Sequence, residues 1–262
     1  ELEIQRGRFE TACGYLRRAI EMEPDNFGNY IGILLIAHGM AGEPESPDEA
    51  AEIPPDEVER YLDAAARVLS RDSAEDNYLL GAVMRKAERV EQAERFLLRA
   101  EELAPEDRRT LLEIATLYER KGALDEALER IMLLHEKDPD DASVNNYYGY
   151  ILAEKGESLD RAEELVRKAL ASDPENGYFL DSLGWIFYKK GEIDEALRIL
   201  VEAVSLAGDD PVIWDHLGQV YEALGQKAKA ADAYRTSLSI DAENEQVQER
   251  LEMVQGEDSS EK

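Results

Sequence analysis

Apolar positions return at a fixed interval along most of this chain. The bulky residues Tyr118, Leu152, Phe187 and Tyr221 stand 34, 35 and 34 positions apart, and Ala93, Ala127, Ala162, Ala196 and Ala230 follow at 34, 35, 34 and 34. Gly149, Gly184 and Gly218 keep the same interval, as do Pro105, Pro139 and Pro174. Between these columns lie Glu, Asp, Lys and Arg, the pattern of amphipathic helices with solvated outer faces. A unit of this length buries its apolar side only by stacking on its neighbours, so the interval predicts an all-α solenoid.

Each unit reads as helix, turn, helix. Units begin near Asn26, Ala74, Arg108, Ala142, Gly177 and Pro211, and Gly122, Gly156, Gly191 and Gly225 sit where a left-handed residue closes a first helix. Gly81, Gly149, Gly184 and Gly218 fall inside the first helices, where glycine costs about 1 kcal/mol relative to alanine. Close approach of the paired helix accounts for them. The first interval is 14 residues too long, and the surplus is an acidic, proline-rich insertion at 41–55. Residues 1–25 match only the tail of a unit, which makes them a half repeat. Glu245–Gln255 predicts a capping helix with Val247, Leu251 and Val254 inward and Glu, Gln and Arg outward, and 256–262 predict a disordered tail. The expected organisation is thus a single array over residues 1–255.

Composition narrows the function. With 59 Asp and Glu against 30 Lys and Arg, the net charge is −29, a field that repels phosphate backbones and favours a basic partner over nucleic acid. The one cysteine, Cys13, lies among apolar residues and reads as a small core side chain. No apolar run reaches the 18 residues of a membrane span, the longest candidate being Tyr30 to Ala37. The chain opens at Glu1 inside a helical pattern without an initiator Met, which reads as a fragment with any targeting segment outside it. His38, His135 and His216 are scattered, so no zinc set is expected. Asp138, Asp140 and Asp141 start like a calcium loop, but Ser143 and Gly149 stand where its glycine and glutamate belong, so the segment is read as a turn. With no phosphate loop or nucleophile elbow in view, neither catalysis nor a cofactor is expected.

Leu183-Gly184-x-x-Phe187 with Ala196, Leu200 and Ala203, and Trp214-x-x-Leu217-Gly218-x-x-Tyr221 with Ala230 and Tyr234, resemble the tetratricopeptide repeat. Departures exist, since the Trp column holds Asn77, Leu111, Asn145 and Leu180 and the repeat at Asn26 is degenerate. The resemblance implies antiparallel helix pairs in a right-handed α-α superhelix whose first helices line a concave, partner-binding face. On that face it places Tyr78, Asn146, Tyr147, Tyr150, Tyr178, Asp181, Trp185, Tyr188, Asp215, His216 and Gln219. The family's Lys-containing clamp for a C-terminal carboxylate is not reproduced. The segment from Asn145 to Gly218 resembles more narrowly the C-terminal part of large bacterial repeat proteins, some of them outer-membrane lipoproteins and adaptors for periplasmic proteases. That likeness implies the periplasmic side of the outer membrane, with the cytoplasm as the alternative. The expected function is a noncatalytic scaffold or adaptor for a protein or peptide, with the acidic insertion as a second contact. The alternative is self-association through the open half repeat.

Overall fold

A computed structural model describes residues 2–258, and among them every regular element is helical. The chain divides into two compact units, Glu1–Gly122 and Ala123–Lys262. Unit 1 holds α1 (Leu2–Gln5), α2 (Phe9–Met22), α3 (Phe27–Ala37), a 3-10 turn (Pro47–Glu49), α4 (Pro55–Val68), α5 (Ala74–Lys86), α6 (Val90–Leu103) and α7 (Arg108–Arg120). Unit 2 holds α8 (Leu124–Lys137), α9 (Ala142–Lys155), α10 (Leu159–Ser172), α11 (Gly177–Lys190), α12 (Ile193–Ala207), α13 (Pro211–Ala223), α14 (Lys227–Ile240) and α15 (Glu245–Asp258). Consecutive helices pack as pairs, α3 with α4 and α5 with α6 in unit 1, and α9 with α10, α11 with α12 and α13 with α14 in unit 2.

Local chemistry sets where these helices start and stop. Asn26, Ser73, Asp107, Asp141, Asn176, Asp210 and Asn244 each precede a first helix, and each side chain accepts a first-turn backbone N–H at 2.8–3.2 Å. Such a cap stabilises a helix by about 0.5–2 kcal/mol. Asp141 is one of them, so the carboxylate run at 138–141 serves a turn and a cap. The first helices close on Gly122, Gly156, Gly191 and Gly225 at φ of 67–80°, while the second full repeat sets Glu88 there at φ 58°. Residues at the fourth position hold the preceding turn: Asn145 Nδ2 donates to Pro139 O at 2.9 Å, Asn77 Nδ2 to Ser73 O at 2.7 Å and Trp214 Nε1 to Gly208 O at 2.8 Å. An amide thus replaces the indole without losing the donor.

The glycines inside the first helices face a paired helix at van der Waals range. A methyl on Gly184 would stand 2.7 Å from Leu200 Cγ, and one on Gly149 would stand 2.6 Å from Val166 Cγ2 and 2.8 Å from Ala162 O. Ala93, Ala127, Ala162, Ala196 and Ala230 are fully buried, so the small column lets the helices meet. Cys13 is buried in the apolar cluster of the half repeat, and burial pushes its thiol up to about 11.

Residues 41–55 lead from α3 into α4, with the 3-10 turn Pro47–Glu49 as their only regular element before Pro55. The insertion folds back as a strap on its own half repeat: Glu45 N donates to Gly7 O at 2.8 Å, Arg8 Nε donates to Glu45 Oε2 at 2.6 Å, and Ala41, Ala51 and Ile53 pack against the Phe9, Ala12, Cys13 and Ile36 cluster. Gly7 meets both demands of this crossing: its φ is 71°, and a methyl on it would stand only 2.6 Å from Glu45 N. The last helix runs to Asp258, past the Gln255 expected as its end, and residues 259–262 of the expected tail lie outside the described residues. Among the described residues no helix is long and apolar enough to cross a membrane.

Candidate functional site

Unit 2 gathers its polar and aromatic residues along four first-type helices, α9, α11, α13 and α15. At the centre is Trp185 of α11, whose indole stacks with Tyr188 at 4.9 Å and 13° and with His216 of α13 at 4.1 Å and 12°. Lys189, one turn on from Trp185, sets its ammonium 4.9 Å from the same ring. The indole N–H donates to Glu154 of α9, which also lies 3.9 Å from Lys189 Nζ. His216 Nδ1–H donates to Asp181 Oδ1 of α11 at 2.8 Å. Arg250 Nη1 of α15 donates to both oxygens of Asp215 at 2.8 and 2.6 Å, and Gln219 Nε2 adds a third bond at 3.1 Å. Each charge in this row therefore meets an opposite one on an adjacent first helix or on its own.

Burial decides how strongly these pairs matter. Asp181 and His216 keep 7% and 4% of their surface, so their charges are felt in a low-dielectric interior, which the Trp185 ring, 5% exposed, shares. Burial opposes ionisation of His216, yet the carboxylates of Asp181, Asp215 and Glu154 outweigh it and hold the imidazole above its ordinary value. Burial likewise lifts the Asp215 carboxyl, against the pull of Arg250 and His216. It raises the Tyr188 phenol as well, helped by Glu222. Beside the row opens a cleft of about 370 Å3 walled by Tyr188, Gln219, Glu222, Arg250 and Met253. Met253 is 59% exposed.

The expected residues take different places. Tyr188 and Gln219 line the cleft half-buried, Asp215 is half-buried and bonded to the cleft residues Gln219 and Arg250, and Asp181, Trp185 and His216 are buried in the row against which Tyr188 stacks. Asn146, Tyr147 and Tyr150 stand half-buried on α9, and the Asn146 Oδ1 is buried without a hydrogen-bond partner. Tyr178 is 51% exposed at the start of α11. Tyr78 belongs to unit 1, where Arg109 covers its ring at 4.6 Å and is itself held by Glu75 at 2.6 Å. Three participants were not among the expected residues: Glu154, Lys189 and Arg250. Glu154 and Lys189 occupy position 13 of their units, a concave register that a search for aromatic and amide side chains passes over. Arg250 corrects the expectation that the arginine of the capping helix points outward, because the half-buried Asp215 carboxylate draws it onto α13.

Comparison with known proteins agrees with this architecture. Sequence patterns of the tetratricopeptide repeat match residues 112–177, 157–211 and 212–244, which together span more than half of the chain. A tetratricopeptide repeat protein from Thermus thermophilus is similar over 70% of this chain and 98% of its own, at 21% identity and a TM-score of 0.60. A tetratricopeptide repeat protein from Parabacteroides merdae is similar over 94% of this chain and 99% of its own, at 16% identity and a TM-score of 0.60. A chain of the APC/C hetero-tetramer Cut9–Hcn1 is similar over 95% of this chain and 46% of its own, at 16% identity and a TM-score of 0.64. At these identities the likeness is one of fold.

Proposed function

The chain belongs to the tetratricopeptide repeat family, and from that premise we propose that it is a noncatalytic scaffold whose unit 2 cleft holds a peptide segment of a protein partner. Proteins built from these repeats bind protein or peptide partners. The observation that carries the reading here is the stack of Tyr188 and His216 on Trp185, pinned from below by Glu154 and Asp181. A ring fixed in this way presents apolar area without losing rotamer freedom on binding, and the neighbouring amide and guanidinium groups of Gln219 and Arg250 offer hydrogen bonds to a peptide backbone. Its charges are already matched within the row, so an extended segment with an apolar anchor fits it better than a strongly basic one. Self-association through the half repeat has less support, because the 41–55 strap already packs on the Phe9 cluster there.

Peptide-library panning against the full chain tests the proposal. Peptides selected by the parent protein should lose about tenfold or more in affinity for a Tyr188→Ala, Gln219→Ala variant, a loss typical of an aromatic hot spot. Unchanged affinity, with circular dichroism showing the helices intact, would show that the cleft is not the binding face.

A further inference from the structure

Positive charge is scarce on this chain, at 30 Lys and Arg against 59 Asp and Glu. In unit 1, Arg85, Arg89, Arg99 and Arg109 all hold carboxylates. Arg71 and Arg95 hold none among the described residues, and both are exposed. They flank an open cleft of about 510 Å3 bounded by the end of α4, the α4–α5 turn and α6. Its floor is apolar, with Leu69 and Phe96 among the residues lining it. The Arg95 guanidinium lies 4.7 Å from the Phe96 ring centroid. Arg99 completes the wall: its Nε donates to Arg71 O at 3.0 Å, fixing the turn that carries Arg71, while its other nitrogens hold Glu102 at 2.8 Å and Asp72 at 3.1 Å. Three guanidinium groups and one carboxylate, that of Glu102, thus line the cleft, a local positive excess on a molecule of net charge −29.

We propose that this cleft binds an acidic peptide segment of another protein, one carrying a large apolar side chain beside its carboxylates. The apolar side chain enters against Leu69 and Phe96, and Arg71 and Arg95 take the flanking carboxylates in charge-assisted hydrogen bonds. The volume lies within the roughly 300–1,000 Å3 of ligand pockets. A simple anion would use the arginines and leave the apolar floor in water. A second copy of this chain is a poorer occupant, because its acidic, proline-rich segment is folded onto its own half repeat through Glu45 and Ile53. Long-range repulsion from the remaining carboxylates is screened beyond about 8 Å at physiological salt, which leaves the local excess to decide.

The probe is the fluorescein-labelled peptide Asp-Glu-Asp-Glu-Phe-Glu-Asp-Glu-Asp, followed by anisotropy with the full chain. Binding should weaken about tenfold or more in the Arg71→Glu, Arg95→Glu variant, as expected for removal of close charge pairs at an interface. It should weaken again when alanine replaces the peptide's phenylalanine. Arg71→Ala with Arg95→Ala repeats the test without adding charge, and circular dichroism checks the fold of both variants. Absence of binding, equal binding of the alanine peptide, or undiminished binding to the charge-reversed variant overturns the site. Binding that depends on Tyr188 and Gln219 but not on Arg71 and Arg95 assigns the peptide to unit 2 and also overturns it. Light scattering that shows self-association abolished by the charge reversal gives the cleft to a second copy instead.

Discussion

His216 does two jobs with one ring, since it stacks on Trp185 and donates to Asp181 from α13 to α11. Breaking a buried pair of this kind by removing one partner costs about 3–5 kcal/mol, mostly because the other charge is left uncompensated. His216→Gln should therefore destabilise the protein strongly, and the loss should depend on pH. The folded imidazole is held above the unfolded value of about 6.5, so its stabilising contribution is complete below that pH and is lost as pH rises through the folded value. Urea denaturation of parent and variant should show the widest gap near pH 6 and a narrower one toward about pH 9. A gap that widens as pH rises would mean that His216 is neutral in the folded protein, and a constant gap that folding leaves its proton affinity unchanged.

At the scale of elements, the same substitution should have opposite signs in two helices. Gly14 lies exposed within α2, with nothing within 4 Å of a methyl placed on it, whereas Gly184 of α11 faces Leu200 Cγ at 2.7 Å and Leu200 Cδ2 at 3.0 Å. Alanine is favoured over glycine in a helix by about 1 kcal/mol, and overpacking a full interface costs about 1–3 kcal/mol. Gly14→Ala should thus raise the urea midpoint and Gly184→Ala should lower it; a rise for both would refute the close approach of α11 and α12. This contrast also explains what the sequence made legible. Repeat, turn and small-residue columns depend on residue size at a fixed register, which a single chain displays in its spacing. The partners of the row do not: Glu154 lies 31 residues from Trp185, and Arg250 lies 35 from Asp215. Nothing in the apolar pattern tells which of many acidic or basic residues near those registers turns inward. The strap was hidden for a related reason, because its docking rests on backbone contacts with Gly7 and on small side chains such as Ala41 and Ala51 that carry no period.

For the whole molecule, the question is whether its charges on balance hold it together or push it apart. Cations reach back from one repeat to the one before, where Arg89 meets Glu59, Lys155 meets Asp125 and Lys190 meets Asp160, each 30 residues earlier. The acidic partners in these pairs are 59%, 82% and 95% exposed, and exposed pairs contribute a median of about 0–1 kcal/mol each. Against them stands a net charge of −29, which cannot be neutralised internally whatever the side chains do. Its repulsion acts over a Debye length of about 30 Å at 0.01 M salt and only about 8 Å at 0.15 M. Screening therefore removes more repulsion between unpaired carboxylates than attraction within close pairs. Raising sodium chloride from about 0.01 M to about 0.15 M should shift the thermal midpoint upward. A downward shift would mean that the ladder of inter-repeat ion pairs, and not the burial of the repeat columns, carries the balance.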